Sequence, residues 1–161
     1  MALMDVYGEY HVKAAGTLAP RFILRDQEGT SITLDQLIND GMALLFFYSR
    51  DGHPGVSAEL AELNDFYDKF REFNISPVAI SADDEKTHAR FAKKHNLTLP
   101  LLADPDFEVA KQYGVWNENG NNTRVTFIVN QDQEIVRVYP FRRLRSHVKE
   151  LYTNVMETLV D

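Results

Sequence analysis

The longest uninterrupted apolar run is Met42–Phe47, and the overlapping stretch Ala43–Tyr48 reads as a strand buried on both faces. It breaks into Ser49-Arg50-Asp51-Gly52-His53-Pro54-Gly55, where two glycines and a proline preclude a regular element. Beyond the break, Leu60, Leu63, Phe66, Tyr67, Phe70 and Phe73 recur at spacings of three and four. That period predicts an amphipathic helix of about five turns. Pro77–Ile80 reads as a second buried strand. Asp83, Asp84 and Glu85 then place acids at the positive end of the next helix, and Lys93, Lys94 and His95 place bases at its negative end.

The flanking segments complete the pattern. Arg21–Leu24 and Ser31–Leu34 enclose Asp26-Gln27-Glu28-Gly29 and predict a hairpin. Leu34–Asn39 predicts one short helix, capped by Thr33 and stopped near Gly41. Leu99–Leu102 is extended, and Asp106–Tyr113 predicts a short helix ended by Gly114. Thr123–Val129 and Glu134–Val138 form a second hairpin around Gln131-Asp132. A last helix runs from about Ser146, with Val148, Leu151, Val155 and Leu159 on one face. Strands alternating with helices, opened by a hairpin, predict an α/β fold: a mixed central β-sheet with helices on both faces.

Length and charge narrow the function classes. The 161 residues match one domain, at roughly 100–200 residues per domain, so residues 1–161 are expected to form a single unit. The net charge of −7 argues against general binding to polyanions. Arg137, Arg142, Arg143, Arg145 and Lys149, interleaved with Tyr139 and Phe141, still make the last quarter locally basic. A solvated face, an acidic partner surface or a charge-complementary homodimer explains them better than nucleic acid does. No apolar run approaches the 18 or so residues that a membrane span needs, and the first residues lack the features of a signal peptide. A cytoplasmic location with no membrane partner is the expectation.

The chain contains no cysteine. That excludes disulfides, thiolate metal sites, iron–sulfur clusters and a cysteine nucleophile. No cofactor is expected. His88 and His95 stand seven residues apart on one helix, about 10 Å of rise, and the other histidines are scattered, so no metal site is expected either.

Ligands in open α/β sheets collect beyond the C-terminal ends of strands, at helix N-termini. Here the strand ending at Tyr48 feeds the loop before the longest early helix. The backbone N–H groups near Gly55, Val56 and Ser57 therefore offer an anion or oxyanion site. The segment Phe46-Phe47-Tyr48-Ser49-Arg50-Asp51-Gly52-His53-Pro54-Gly55-Val56-Ser57-Ala58-Glu59 resembles the active-site segment of peroxiredoxins. The likeness is to the bacterioferritin-comigratory, PrxQ-like branch of the AhpC/TSA group, which reads close to F-Y-P-x-D-x-T-P-G-C-T-x-E-x-x-C. Ala19–Leu24 with Asp26–Gly29 is similar to that family's opening. Ile80–Asp83, His88–Phe91, Leu101–Asp104, Tyr113–Val115 and Arg124–Val129 resemble its later segments in the same order. The resemblance implies a thioredoxin-like fold and, for the family, thiol-dependent reduction of hydroperoxides as antioxidants.

The likeness fails at the reacting residues. By this resemblance, Val56 occupies the position of the peroxide-attacking cysteine, His53 that of a threonine that orients the peroxide, and Ser49 that of a shielding proline. Ala61 stands where many members carry a resolving cysteine. Only Arg124 of the main set remains, with Glu59 from the flanking motif. A hydrocarbon side chain cannot become a sulfenic acid, so the family's mechanism cannot run on Val56. Loss of the thiols marks the chain as a pseudoenzyme that acts through binding.

The residues that remain leave three roles open. Arg124, Gly55, Val56, Glu59 and His53 are candidates for holding a small anion or carboxylate in the former peroxide pocket, unless Arg124 pairs with Glu59 or Asp51 and only holds the loop. An altered enzyme would use His53 as a base with Arg124, or His53 to activate Ser57, although Ser57 is better explained as a helix-start residue. An interaction subunit would pair with a second copy or with a thiol-bearing relative. Trp116 is expected half-buried against the core, before a flexible polar loop at Asn117–Asn122.

Overall fold

The computed structural model describes residues 12–117, 119–140 and 147–160. The first hairpin is β1 (Ile23–Arg25) and β2 (Ser31–Thr33), closed by the Asp26–Thr30 turn. Thr33 then caps α1 (Leu34–Leu37) in a reciprocal box with Gln36, and the helix ends two residues earlier than its apolar pattern predicts. β3 (Met42–Phe47) and α2 (Val56–Glu72) follow, then β4 (Ile75–Ser81) and α3 (Glu85–His95). The chain continues through β5 (Leu101–Ala103), α4 (Glu108–Tyr113), β6 (Val125–Val129), β7 (Ile135–Pro140) and α5 (His147–Leu159).

The strands form a seven-stranded mixed sheet in the order β2-β1-β5-β4-β3-β6-β7. β3, β4 and β5 run parallel, whereas β6 is antiparallel to β3. Side chains alternate along β3: Ala43, Leu45 and Phe47 pack on one face with residues of α1 and α4. Leu44 and Phe46, with Tyr48 just beyond, pack on the other with residues of α2, α3 and α5. Both faces are therefore buried, which is why β3 reads as a continuous apolar run. No helix among the described residues is long and apolar enough to cross a membrane.

Three further sequence expectations need correction. Phe73 lies past the end of α2 and is 43% exposed, so the packed stripe stops at Phe70. α4 starts at Glu108 rather than Asp106, because Phe107 adopts a left-handed backbone (φ 58°) and breaks the helix there. The carboxylate of Asp104 instead accepts hydrogen bonds from the Val109 and Ala110 amides at 3.2 and 2.9 Å. Its burial pushes that carboxyl above the ordinary range, although the amides pull it back. In the polar loop before Asn122, Asn117 N–H donates to the Asn121 carbonyl and Gly120 N–H to the Asn117 carbonyl. β7 also extends two residues past Val138, through pairing of Tyr139 and Pro140 with β6. Arg142, Arg143, Arg145, Phe141 and Ser146, like the first eleven residues, lie outside the described residues.

Gly41 fixes the start of the β3–β4 pairing. A Cβ there would stand 1.9 Å from the Asn74 carbonyl oxygen, the acceptor for the Met42 amide at 3.0 Å. Backbone cannot yield as a side chain would. Gly41→Ala is expected to lower unfolding stability by about 3 kcal/mol, the upper part of the overpacking range, as a lower midpoint in urea with unchanged slope.

Candidate functional site

The site sits where β3 ends and α2 begins. The 49–55 loop turns the chain through Gly55, whose left-handed backbone (φ 86°) suits glycine and precedes the first helical residue, Val56. Gly55 brings no side-chain cap, so among the described residues the first-turn amides of Ser57 and Ala58 have no side-chain capping acceptor. The antiparallel register pairs Phe47 with Val125, which sets Arg124 just beyond the end of β3. Arg124 Nη1 donates to Glu59 Oε1 on the first turn of α2. The same nitrogen lies 3.9 Å from where a Gly55 Cβ would stand. Arg124, 65 positions further along the chain than Glu59, thus joins Gly55 and Glu59 in one cluster.

Burial tunes this cluster. The Glu59 and Arg124 side chains are 12% and 19% exposed. Loss of water pushes the Glu59 carboxyl above its ordinary range, and the Arg124 charge and hydrogen bond pull it down only in part. Glu59 Oε2 and the Ser49 hydroxyl are buried without hydrogen-bond partners among the described residues. Val56 is fully buried, in the same apolar cluster as Leu44, Phe46, Tyr48 and Leu60.

The remaining candidates fall outside it. The His53 ring has one hydrogen bond among the described residues, between Nδ1 and the carbonyl of its neighbour Pro54 at 3.0 Å. The ring makes none with Ser57 or Arg124. Ser57 is the second helical residue and not the cap, and Ala61 lies half-buried further along α2. Trp116 is half-buried against the core, with the Lys111 ammonium 5.0 Å from its ring centre.

Comparison with known proteins bears on the whole arrangement. The AhpC/TSA family model matches residues 15–138. The chain belongs to the AhpC/TSA family. It is 30% identical over 140 residues to peroxiredoxin Bcp of Escherichia coli, covering 83% of this chain and 89% of that protein. The crystal structure of peroxidoxin BcpB from Mycobacterium tuberculosis superposes with a TM-score of 0.82 at 31% identity, over 92% of this chain and 99% of that one. A mutant of Xylella fastidiosa PrxQ gives 0.83 at 25% identity, over 91% and 97%. The fold is accordingly the thioredoxin-like fold of peroxiredoxins, here with no cysteine anywhere in the chain.

A second cluster in this family member is not evident from the sequence. Asp51, Ser81, Asp83 and His88 converge beneath the 49–55 loop together with Tyr48. His88 Nδ1 lies 2.6 Å from Asp51 Oδ2, and the Tyr48 hydroxyl donates to Asp51 Oδ1 at 2.6 Å. The Asp51 amide and the Ser81 hydroxyl both donate to Asp83 Oδ2 at 2.7 Å. Burial, with the Asp51 carboxylate alongside, drives the Tyr48 phenol well above its ordinary range and keeps it a donor. Asp51, Asp83 and His88 place ligand-type atoms within 4.8 Å of one another, with one histidine among them. Those atoms are engaged with each other and with the backbone. The sequence signals were the family-like segments Ile80–Asp83 and His88–Phe91, whose residues carried no assigned role until the fold joined them.

Proposed function

We propose that this family member does not reduce peroxide and works by binding, taking a small anion or carboxylate at the N-terminus of α2 beside Arg124. The observation that carries this reading is the first turn of a 17-residue helix with no side-chain cap, close to Arg124. By the sequence resemblance, Val56 stands there in place of the family's thiol. A helix N-terminus presents unpaired N–H groups and about half a positive charge to an anion. The Ser49 hydroxyl, buried and unpartnered among the described residues, is a further donor at the same end of β3. Glu59 already neutralises much of the Arg124 charge, so affinity is expected to be weak.

The test is a titration of the folded protein with sodium acetate at constant ionic strength, read by amide chemical shifts. Shifts centred on Ser57 and Ala58, saturating with a Kd on the order of 1 mM, about −4 kcal/mol, are the expected result. Shifts no larger than those given by sodium chloride would overturn the anion site.

The altered-enzyme reading finds less support, because the His53 ring is tied to the Pro54 carbonyl. Pairing with a second copy or with a thiol-bearing relative is the alternative binding role. It predicts a mass in solution above that of the 18.5 kDa chain, alone or after mixing with a cysteine-containing peroxiredoxin.

A further inference from the structure

The buried group around His88 has a hydrogen-bond logic that specifies protons. Asp83 Oδ2 can only accept, so at 2.7 Å the Ser81 hydroxyl spends its single proton there. Ser81 therefore shows only lone pairs to His88 Nε2, 3.4 Å away. The Leu102 carbonyl, 3.2 Å from the same nitrogen, is also an acceptor. On the other side of the ring, Asp51 Oδ2 stands 2.6 Å from Nδ1, and Asp51 Oδ1 is occupied by the Tyr48 hydroxyl. Both ring nitrogens thus face acceptors, and a neutral imidazole has one proton to offer them.

We propose that His88 is held as a buried imidazolium, and that its ion pair with Asp51 is the latch fixing the 49–55 loop to α3. The His88 and Asp51 side chains are 0% and 3% exposed, so neither charge is supported by water and each depends on the other. Four segments contribute groups to the ring's surroundings. Tyr48 comes from the end of β3, with its ring centre 6.5 Å from that of His88. Asp51 comes from the loop, Ser81 and Asp83 from the end of β4, and the Leu102 carbonyl from β5. The loop is seized at two points, since the Asp51 side chain holds His88 while its own amide donates to Asp83. From there the backbone passes through the Val56 amide bond to the His53 carbonyl, 2.9 Å, into the first turn of α2. His88 is on this account a positioning residue for the site, reaching it through Asp51. The inference stands whether or not that site binds an anion.

Nuclear magnetic resonance of the wild-type protein tests the charge without any variant. Protonated-type 15N shifts at both ring nitrogens of His88, with two slowly exchanging N–H protons, are expected. One unprotonated ring nitrogen would overturn the proposal, including the case in which the proton resides on Asp51. Hydrogen exchange tests the latch. In Asp51→Ala, exchange at the His53 and Val56 amides is expected to rise about tenfold or more, while Phe127, buried on β6, keeps its protection. Unchanged loop exchange in a folded Asp51→Ala would refute the latch. Should Asp51→Ala fail to fold, Asp51→Asn, which keeps an acceptor for His88 and loses the charge, is expected to show the same loosening to a smaller degree.

Discussion

Val56→Cys is expected to place at position 56 a thiol that hydrogen peroxide oxidises. The substitution removes about one methyl group from a fully buried position, which costs about 1 kcal/mol and leaves the fold intact. The new sulfur would sit on the first residue of α2, where the helix N-terminus and the nearby Arg124 favour a thiolate. Its apolar neighbours Leu44, Phe46 and Leu60 oppose that effect. The thiolate attacks one peroxide oxygen and breaks the O–O bond, giving a sulfenic acid and a hydroxide that takes a proton from solvent to leave as water. With alanine at position 61, no resolving thiol lies nearby, so the sulfenic acid should persist until dithiothreitol reduces it. A single mass increase of one oxygen, trapped by dimedone, is the readout. An introduced thiol no more reactive than free cysteine would show that Ser49 and His53 have reshaped the pocket beyond recovery.

Breaking the Arg124–Glu59 pair should lower stability about as much as Gly41→Ala does, but in a pH-dependent way. Arg124→Met leaves a carboxylate that is 12% exposed with no cation beside it. Removing one partner of a buried pair costs about 3–5 kcal/mol, and the residual exposure here places the expectation near 3 kcal/mol at neutral pH. The pH dependence has a definite sign. Burial already raises the Glu59 carboxyl in the folded state, and losing Arg124 raises it further. A carboxyl raised on folding destabilises as pH climbs through the ordinary carboxylate range, about 4–5, toward its folded value. The deficit of Arg124→Met should therefore be largest at neutral pH and shrink in acid, below the unfolded-state value. Urea unfolding at several pH values measures it. A deficit independent of pH would mean that Arg124 acts through packing alone.

The fold was readable because its main signals are local. β3 announces itself by an unbroken apolar run, since both faces of a central strand are covered. α2 shows a stripe at helical spacing, and α3 carries acids and bases at the expected ends with Asp84 as its cap. Thr33 with Gln36 and the Asp26–Gly29 turn are equally short-range. What escaped depends on backbone geometry or on distance along the chain. A left-handed Phe107 has no residue-type signal, so the start of α4 was misplaced. The tie between Asp51 and His88 spans 37 positions and exists only because parallel β3 and β4 bring their ends together. The pairing of Arg124 with Glu59 was one of several partners open to it in sequence, and antiparallel β3–β6 pairing selects it.

The two structural clusters have different tasks. Arg124 and Glu59 keep the charge arrangement at the mouth of α2, and the Tyr48–Asp51–His88 group keeps the loop in register below it. Neither contains an atom that can be cycled through oxidation and reduction as a thiol can. Family membership thus accounts for the scaffold, and on the proposed reading the side chain at position 56 accounts for the missing thiol chemistry.

The decisive measurement is hydrogen peroxide consumption by the purified wild-type chain, with dithiothreitol or a thioredoxin system as reductant and Val56→Cys alongside. Consumption no faster than in the protein-free control, with the Val56→Cys chain active, is the predicted result. Sustained peroxide turnover by the cysteine-free wild type would contradict a binding role and the claim that a thiol is required.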